Sequence, residues 1–155
     1  MLSASINRRQ MPPWEEVLAP YNLGYRIKLL SQLLTRQFQE RLDPFGLTPF
    51  HWVVLCCLWK EDGLATSTIG ERLQQVGGTL TGVLDRMEER GLVRRERDSR
   101  DRRICRIWLS QAGKELEATL LPIAKELRDQ AMVGISTSDQ EKLRQLLEQA
   151  ITNLS

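Results

Sequence analysis

Residues 92–109 read LVRRERDSRDRRICRIWL. The two ends, Leu92–Arg97 and Ile104–Leu109, fit short strands, with Ile107 and Leu109 on one face of the second and Arg106 and Trp108 on the other. Between them lies Asp98-Ser99-Arg100-Asp101-Arg102-Arg103. Aspartate and serine favour a turn, and arginines this close repel one another unless an anion or the aspartates sit among them. The segment is therefore expected to be a β-hairpin with a cationic tip. Over residues 94–106 seven arginines stand against Glu96, Asp98 and Asp101, a local balance of +4, whereas the whole chain carries only +2 and so sums to −2 elsewhere. A polyanionic partner is suggested by that distribution and not by the total.

The chain leading into this hairpin is helical in pattern. Met11, Pro12, Pro13 and Trp14 have no period and read as an arm. From Leu23, the positions Leu23, Ile27, Leu30, Leu34, Phe38 and Leu42 form one helical face, closed by Asp43-Pro44 and Gly46. Thr48-Pro49 offers an N-cap and a first-turn proline for an apolar helix, His51 to Trp59, expected to be the buried centre. After a Gly63 turn, Thr66 is expected to cap a short helix carrying Ile69 and Leu73. A turn at Gln75 to Gly78 leads to another helix with the stripe Leu80, Val83, Leu84 and Met87, ended by Gly91. Two short helices joined by a tight turn are a helix-turn-helix or an ordinary helical hairpin. The hairpin that follows favours the former, since a helix-turn-helix with an appended β-hairpin is a winged helix. A slender cationic tip also suits a narrow groove of DNA.

At 155 residues, 41% hydrophobic and 27% charged, the chain is the size of one domain with its own core. It has neither a basic start before a long apolar run nor eighteen consecutive apolar residues, so a cytoplasmic protein without membrane insertion is expected. Cys56, Cys57 and Cys105 form neither an even-numbered disulfide framework nor a C-x-x-C spacing, and reduced thiols are expected.

Residues 47–113 resemble the DNA-binding core of the multiple antibiotic resistance regulator (MarR) family. The resemblance rests on Leu47-Thr48, on Leu80-Thr81 followed by Leu84-Asp85-Arg86-Met87-Glu88, and on Gly91-Leu92-Val93. Its strongest piece is Asp98-x-x-Asp101-Arg102-Arg103, closing through Leu109-Ser110-x-x-Gly113. It implies a mainly α (α+β) winged helix-turn-helix at residues 47–110. Residues 1–46 would be an arm and first dimerisation helix, and 111–155 C-terminal dimerisation helices. The implied function is a homodimeric transcriptional regulator that binds double-stranded DNA at a pseudo-palindromic operator, without a cofactor or metal. Two C-terminal stripes accord with a dimer lobe, Leu116, Leu120, Ile123 and Leu127, with Pro122 expected to bend the helix, and Leu143, Leu146, Leu147, Ala150, Ile151 and Leu154. They can equally pack within one chain. Ser138 with Glu141 is the expected capping box of the last helix.

On this resemblance Thr79 and Thr81 are the candidates for contacts in the major groove, to bases or nearby phosphates. Arg86 and Arg90 either touch phosphate or pair with Asp85 and Glu89. In the wing, Asp101 holds the turn and orients Arg103 into the minor groove, with Arg100 and Arg102 reinforcing the field. The chain departs from the family at Gly82, where many members have a long polar residue, and at Val76-Gly77-Gly78, where many have a serine cap. Glycines weaken a helix by about 1 kcal/mol each and add no side-chain hydrogen bond, which moves recognition toward the wing. The family commonly takes small aromatic effectors, and Tyr25, His51 and Trp52 are the candidate lining residues. An enzyme is not indicated, because the one histidine, His51, lies in an apolar helix with no nucleophile and orienting acid spaced around it. Three alternatives stay open: a thiol- or metal-sensing regulator of the same fold, a non-specific nucleoid-type DNA-binding protein, and a dimeric helical adaptor that does not bind DNA. Family sensors of peroxide carry their cysteine in the first helix, and this chain has none before residue 56.

Overall fold

The computed structural model describes residues 17–74 and 77–155. The expected arm at Met11–Trp14 and the turn residues Gln75 and Val76 lie outside them. The element order is α1 (Leu23–Leu42), a 3-10 turn (Asp43–Phe45), α2 (Pro49–Lys60), β1 (Leu64–Ala65), α3 (Thr66–Leu73), α4 (Gly77–Glu89), β2 (Val93–Arg97), β3 (Cys105–Leu109), α5 (Gln111–Ala131) and α6 (Thr137–Leu154). This is the mainly α winged helix-turn-helix expected. No helix among the described residues is long and apolar enough to cross a membrane.

Capping residues set most of the helix starts. Asn22 accepts from the Tyr25 N–H to open α1, and Thr48 accepts from the His51 N–H, with Pro49 in the first turn of α2. In α2, Val54, Leu55 and Leu58 are buried and form the centre of the core. They pack with Ile69 of α3, Leu80, Leu84 and Met87 of α4, Ile107 of β3 and Leu120 of α5. The Leu92 N–H returns to the Met87 carbonyl at the end of α4 and turns the chain into β2.

The sheet is antiparallel in the order β1-β3-β2, with Val93 opposite Leu109 and Arg97 opposite Cys105. Strand β1 was not legible in the sequence, because two residues carry no period. It pairs Leu64 with Ile107 and corrects the expected role of Thr66. Thr66 is the first helical residue, behind Ala65, and its hydroxyl donates to the Cys105 carbonyl (3.1 Å) instead of capping α3. Pairing of β1 with β3 brings that hydroxyl against the first residue of β3, the central strand. A second correction concerns α6. Gly134 (φ 79) ends the preceding turn and leaves Ser136 extended, so Ser136, and not Ser138, caps the helix by accepting from the Asp139 N–H. Glu141 pairs with Arg144 (2.7 Å) instead.

The junction of wing and α5 explains Gly113. The Ser110 N–H donates to the Leu92 carbonyl (3.0 Å), and the Ser110 hydroxyl to that of Gly91 (2.6 Å). Trp59 Nε1 donates to the Gly113 carbonyl (2.9 Å). A Cβ on Gly113 would stand 2.2 Å from the Leu92 carbonyl oxygen, a backbone atom pinned by these bonds. Gly113→Ala is expected to cost about 1–3 kcal/mol, read as a lowered urea midpoint at unchanged slope.

The three amphipathic stripes have different fates. That of α5 packs within the chain: Leu120 and Leu127 are buried, and Leu116 and Ile123 lie against the core. In α1 Phe38 and Leu42 are buried while Leu23, Ile27 and Leu30 are exposed. Leu143, Leu146, Leu147, Ile151 and Leu154 of α6 are all exposed.

Candidate nucleic-acid interface

Helix α4 is held by its buried stripe, Leu80, Val83, Leu84 and Met87. Thr79 and Thr81 are on its exposed side, and a Cβ at Gly78 or Gly82 would meet open space. No side chain therefore covers the backbone there, and a ligand can approach it closely. Arg86 is exposed and makes no ion pair with any described residue. The expected pairing of Arg86 and Arg90 with Asp85 and Glu89 is not formed. Asp85 pairs with Arg95 (2.7 Å) across the start of the wing. Arg90 donates to the carbonyls of Phe45 (2.5 Å) and Gly46, tying the end of α4 to the loop between α1 and α2. Its fork is occupied by the protein itself.

The wing tip is ordered by its aspartates. Asp98 accepts from the N–H groups of Arg100 (2.8 Å) and Asp101 (3.0 Å) and from Arg106 Nε (2.5 Å). Arg106, foremost, and the two N–H groups hold the Asp98 carboxyl down at about 2, and the Arg103 guanidinium lowers that of Asp101. Asp101 accepts from Arg103 N (3.0 Å), Nε (3.1 Å) and Nη2 (3.2 Å). The Arg103 side chain is nevertheless 92% exposed. It is oriented from one side and open on the other. The guanidinium groups of Arg100 and Arg102 are exposed and unpaired among the described residues. A projecting tip with three cations is a site for closely spaced anions.

Behind the tip the wing is braced to the body. Arg106 Nη1 donates to the Gly63 carbonyl (3.0 Å), and Asp62 accepts from the N–H groups of Leu109 (2.8 Å) and Gly63 (3.0 Å). The Trp108 ring lies on Gly63 (φ 72), where a Cβ would come within 2.4 Å of it. Arg94 sits over that ring, 5.8 Å from its centroid, and pairs with Glu96. Arg90, Arg95 and Arg106 were missed by sequence reasoning as positioning groups, whereas Asp98 was expected to shape the turn. Only the turn-forming role of Asp98 had a local signal.

Of the candidate effector residues, Trp52 lines a cavity. That cavity, about 350 Å³, lies between α1, α2 and α5, bordered by Leu34, Phe38, Trp52, Leu127 and Arg128. Tyr25 and His51 do not reach it. Tyr25 is on the exposed start of α1, and His51 is buried with Nδ1 accepting from the Thr48 N–H (3.0 Å). Its proton is therefore on Nε2, which is buried without a partner among the described residues. Burial foremost, then Arg86 and Arg90, lowers the His51 pKa from its ordinary 6.5. The imidazole is neutral in the fold and charged in the unfolded chain below 6.5, so stability present above that pH is lost as the pH falls through it. Because the chain has one histidine, the urea midpoint is expected to fall between pH 7.5 and 5.5, and His51→Gln, which retains a capping-box acceptor, to flatten that fall.

Cys56 and Cys57 line a cleft with Lys60 and Arg72. Both are half-buried, and Cys57 packs against the core. Burial pushes the Cys56 thiol up to about 11 and raises that of Cys57, so both are protonated at neutral pH. Among the described residues no three His, Cys, Asp or Glu side chains are placed to hold a metal ion.

Comparison with known proteins places the chain among regulators. A family model described as the MarR family matches residues 47–105. The organic hydroperoxide resistance transcriptional regulator of Bacillus subtilis (strain 168) is 33% identical over 116 residues, covering 75% of this chain and 76% of that protein. Among solved structures, a probable transcriptional regulator from Pseudomonas aeruginosa superposes with a TM-score of 0.75 at 30% identity, covering 83% and 96% of the two chains. Reduced AbfR bound to DNA superposes at 0.67 with 26% identity, covering 86% and 91%.

Proposed function

The chain belongs to the MarR family of transcriptional regulators, and from that premise we propose that two copies bind one pseudo-palindromic operator in double-stranded DNA. On this reading the N-terminal half of α4 enters the major groove. Thr79 and Thr81 meet base edges, thymine methyls or phosphates, and the bare backbone at Gly78 and Gly82 lies close to the duplex. The wing enters the adjacent minor groove with Arg103, while Arg100 and Arg102 neutralise phosphates and Arg86 meets the backbone beside α4. The observation that carries this reading is the wing tip, where Asp101 holds an arginine that is 92% exposed, on a turn that also carries Arg100 and Arg102, unpaired among the described residues. A solvated ion pair contributes little to folding, so the arrangement fits an external anion better than internal stability.

The second copy is supported by the apolar faces of α1 and α6. Leu23, Ile27, Leu30, Leu143 and Leu147 line an open groove of about 380 Å³, and Leu154 is 91% exposed in the single chain. Residues 1–46 and 111–155 then supply the dimer lobe and 47–110 the DNA-binding core. The cavity beside Trp52 suits a small aromatic effector. Its walls come from dimer-lobe helices α1 and α5 and from α2 of the core, so a ligand there bears on both lobes. Thiolate sensing of peroxide is poorly supported, because both α2 thiols are held protonated.

The test is selection of bound duplexes from random or genomic DNA, followed by competition at physiological salt. A regulator retains one selected site against a large excess of random duplex; a nucleoid-type protein does not, and an adaptor binds neither.

A further inference from the structure

Arg95 lies inside the basic run, yet it faces away from the exposed cations. On β2, Val93 is buried and Arg95 shares its face, which turns toward α4; Arg94 is on the opposite face with Trp108. The Arg95 guanidinium spans two carboxylates one turn apart on α4, with Nη2 2.7 Å from Asp85 Oδ1 and Nη1 2.7 Å from Glu88 Oε2. The Arg95 N–H donates to the other Glu88 oxygen (3.0 Å). Its side chain is only 27% exposed, against 92% for Arg103. A planar guanidinium held at two points by one helix, with its own backbone N–H held at a third, fixes angle as well as distance, which an ammonium cannot do.

We infer that Arg95, with Asp85 and Glu88, is a positioning clamp that sets the angle between α4 and the wing without itself touching DNA, and so selects which operators both elements can fit together. The inference rests on the proposed reading, in which α4 and the wing occupy neighbouring grooves. A phosphate contact adds affinity on any duplex. A clamp matters only where both elements must be in register.

The test compares a duplex selected by the wild-type protein with a random-sequence duplex of equal length. Asp85→Asn/Glu88→Gln removes two negative charges beside the DNA-facing helix while keeping side-chain volume. Coulomb attraction alone makes it bind both duplexes more tightly. The clamp requires the opposite on the selected duplex, at least ~10-fold weaker binding, with random-duplex binding unchanged or tighter. Arg95→Met is expected to lose as much with the salt slope of binding unchanged, Arg95→Lys to recover part of it, and the triple variant to lose no more than either parent. Tighter or unchanged binding of the selected duplex by Asp85→Asn/Glu88→Gln overturns the clamp, as does a salt slope reduced by about one in Arg95→Met, which marks a phosphate contact. If Arg95→Met does not fold, the amide variants still decide. No salt-dependent duplex binding by the wild-type protein overturns the DNA-binding reading itself, and the clamp with it.

Discussion

Leu147→Glu/Ile151→Glu is expected to sediment as a folded monomer and to bind the selected operator about 10²–10⁴-fold more weakly than the wild-type protein. Both residues are exposed in the single chain, so glutamate there removes little of its own core and leaves the helical signal intact. In a dimer the same positions would bury two carboxylates per chain in an apolar face, which is unfavourable without partners. The loss of affinity follows from geometry. A dimer's second recognition helix is delivered to its half-site by the first, whereas a monomer must find each half-site from bulk solution. A dimer that persists, with operator binding unchanged, would place the assembly on another face.

Arg103→Ala is expected to weaken operator binding by about 10–100-fold, the size of one well-oriented arginine contact to DNA. The slope of log affinity against log salt should become shallower by about one. Thermal stability should hardly change, because the Arg103 side chain is 92% exposed and among the described residues it pairs with Asp101 alone. Lysine at this position should recover much of the salt slope and little of the affinity, since it keeps the charge but cannot donate to Asp101 the paired hydrogen bonds that aim the group. Unchanged affinity and unchanged slope together would remove the wing from recognition.

The tip was legible because its causes are local. Asp98 reaches N–H groups two and three residues away, and Asp101 reaches Arg103 two residues on, so composition and spacing suffice to identify a turn that presents arginines. The braces were not legible because their partners are remote. Arg106 finds the Gly63 carbonyl and Arg90 that of Gly46, each more than forty residues back along the chain. The Arg90–Glu89 pairing that suits an isolated helix is not formed, because the fold brings the α1–α2 loop under the end of α4. His51 was expected to be packed or to line a pocket. It is packed, and its ring completes the cap of its own helix.

The amphipathic helices show the same division. Periodicity identified an apolar face on each of α1, α5 and α6, and the faces are real. It could not show what covers each one. The stripe of α5 is closed by the chain's own core around Leu120, and that of α6 is left open, although in sequence the two look alike. By itself, then, the sequence determined the winged helix-turn-helix, the cap at Thr48 and the cationic turn, all of which arise from interactions a few residues apart. Only the tertiary structure decided which arginines face solvent and which hold the wing to the body. A guanidinium's role depends on whether a carboxylate or carbonyl from a distant segment lies within about 3 Å of it, and no local pattern specifies that.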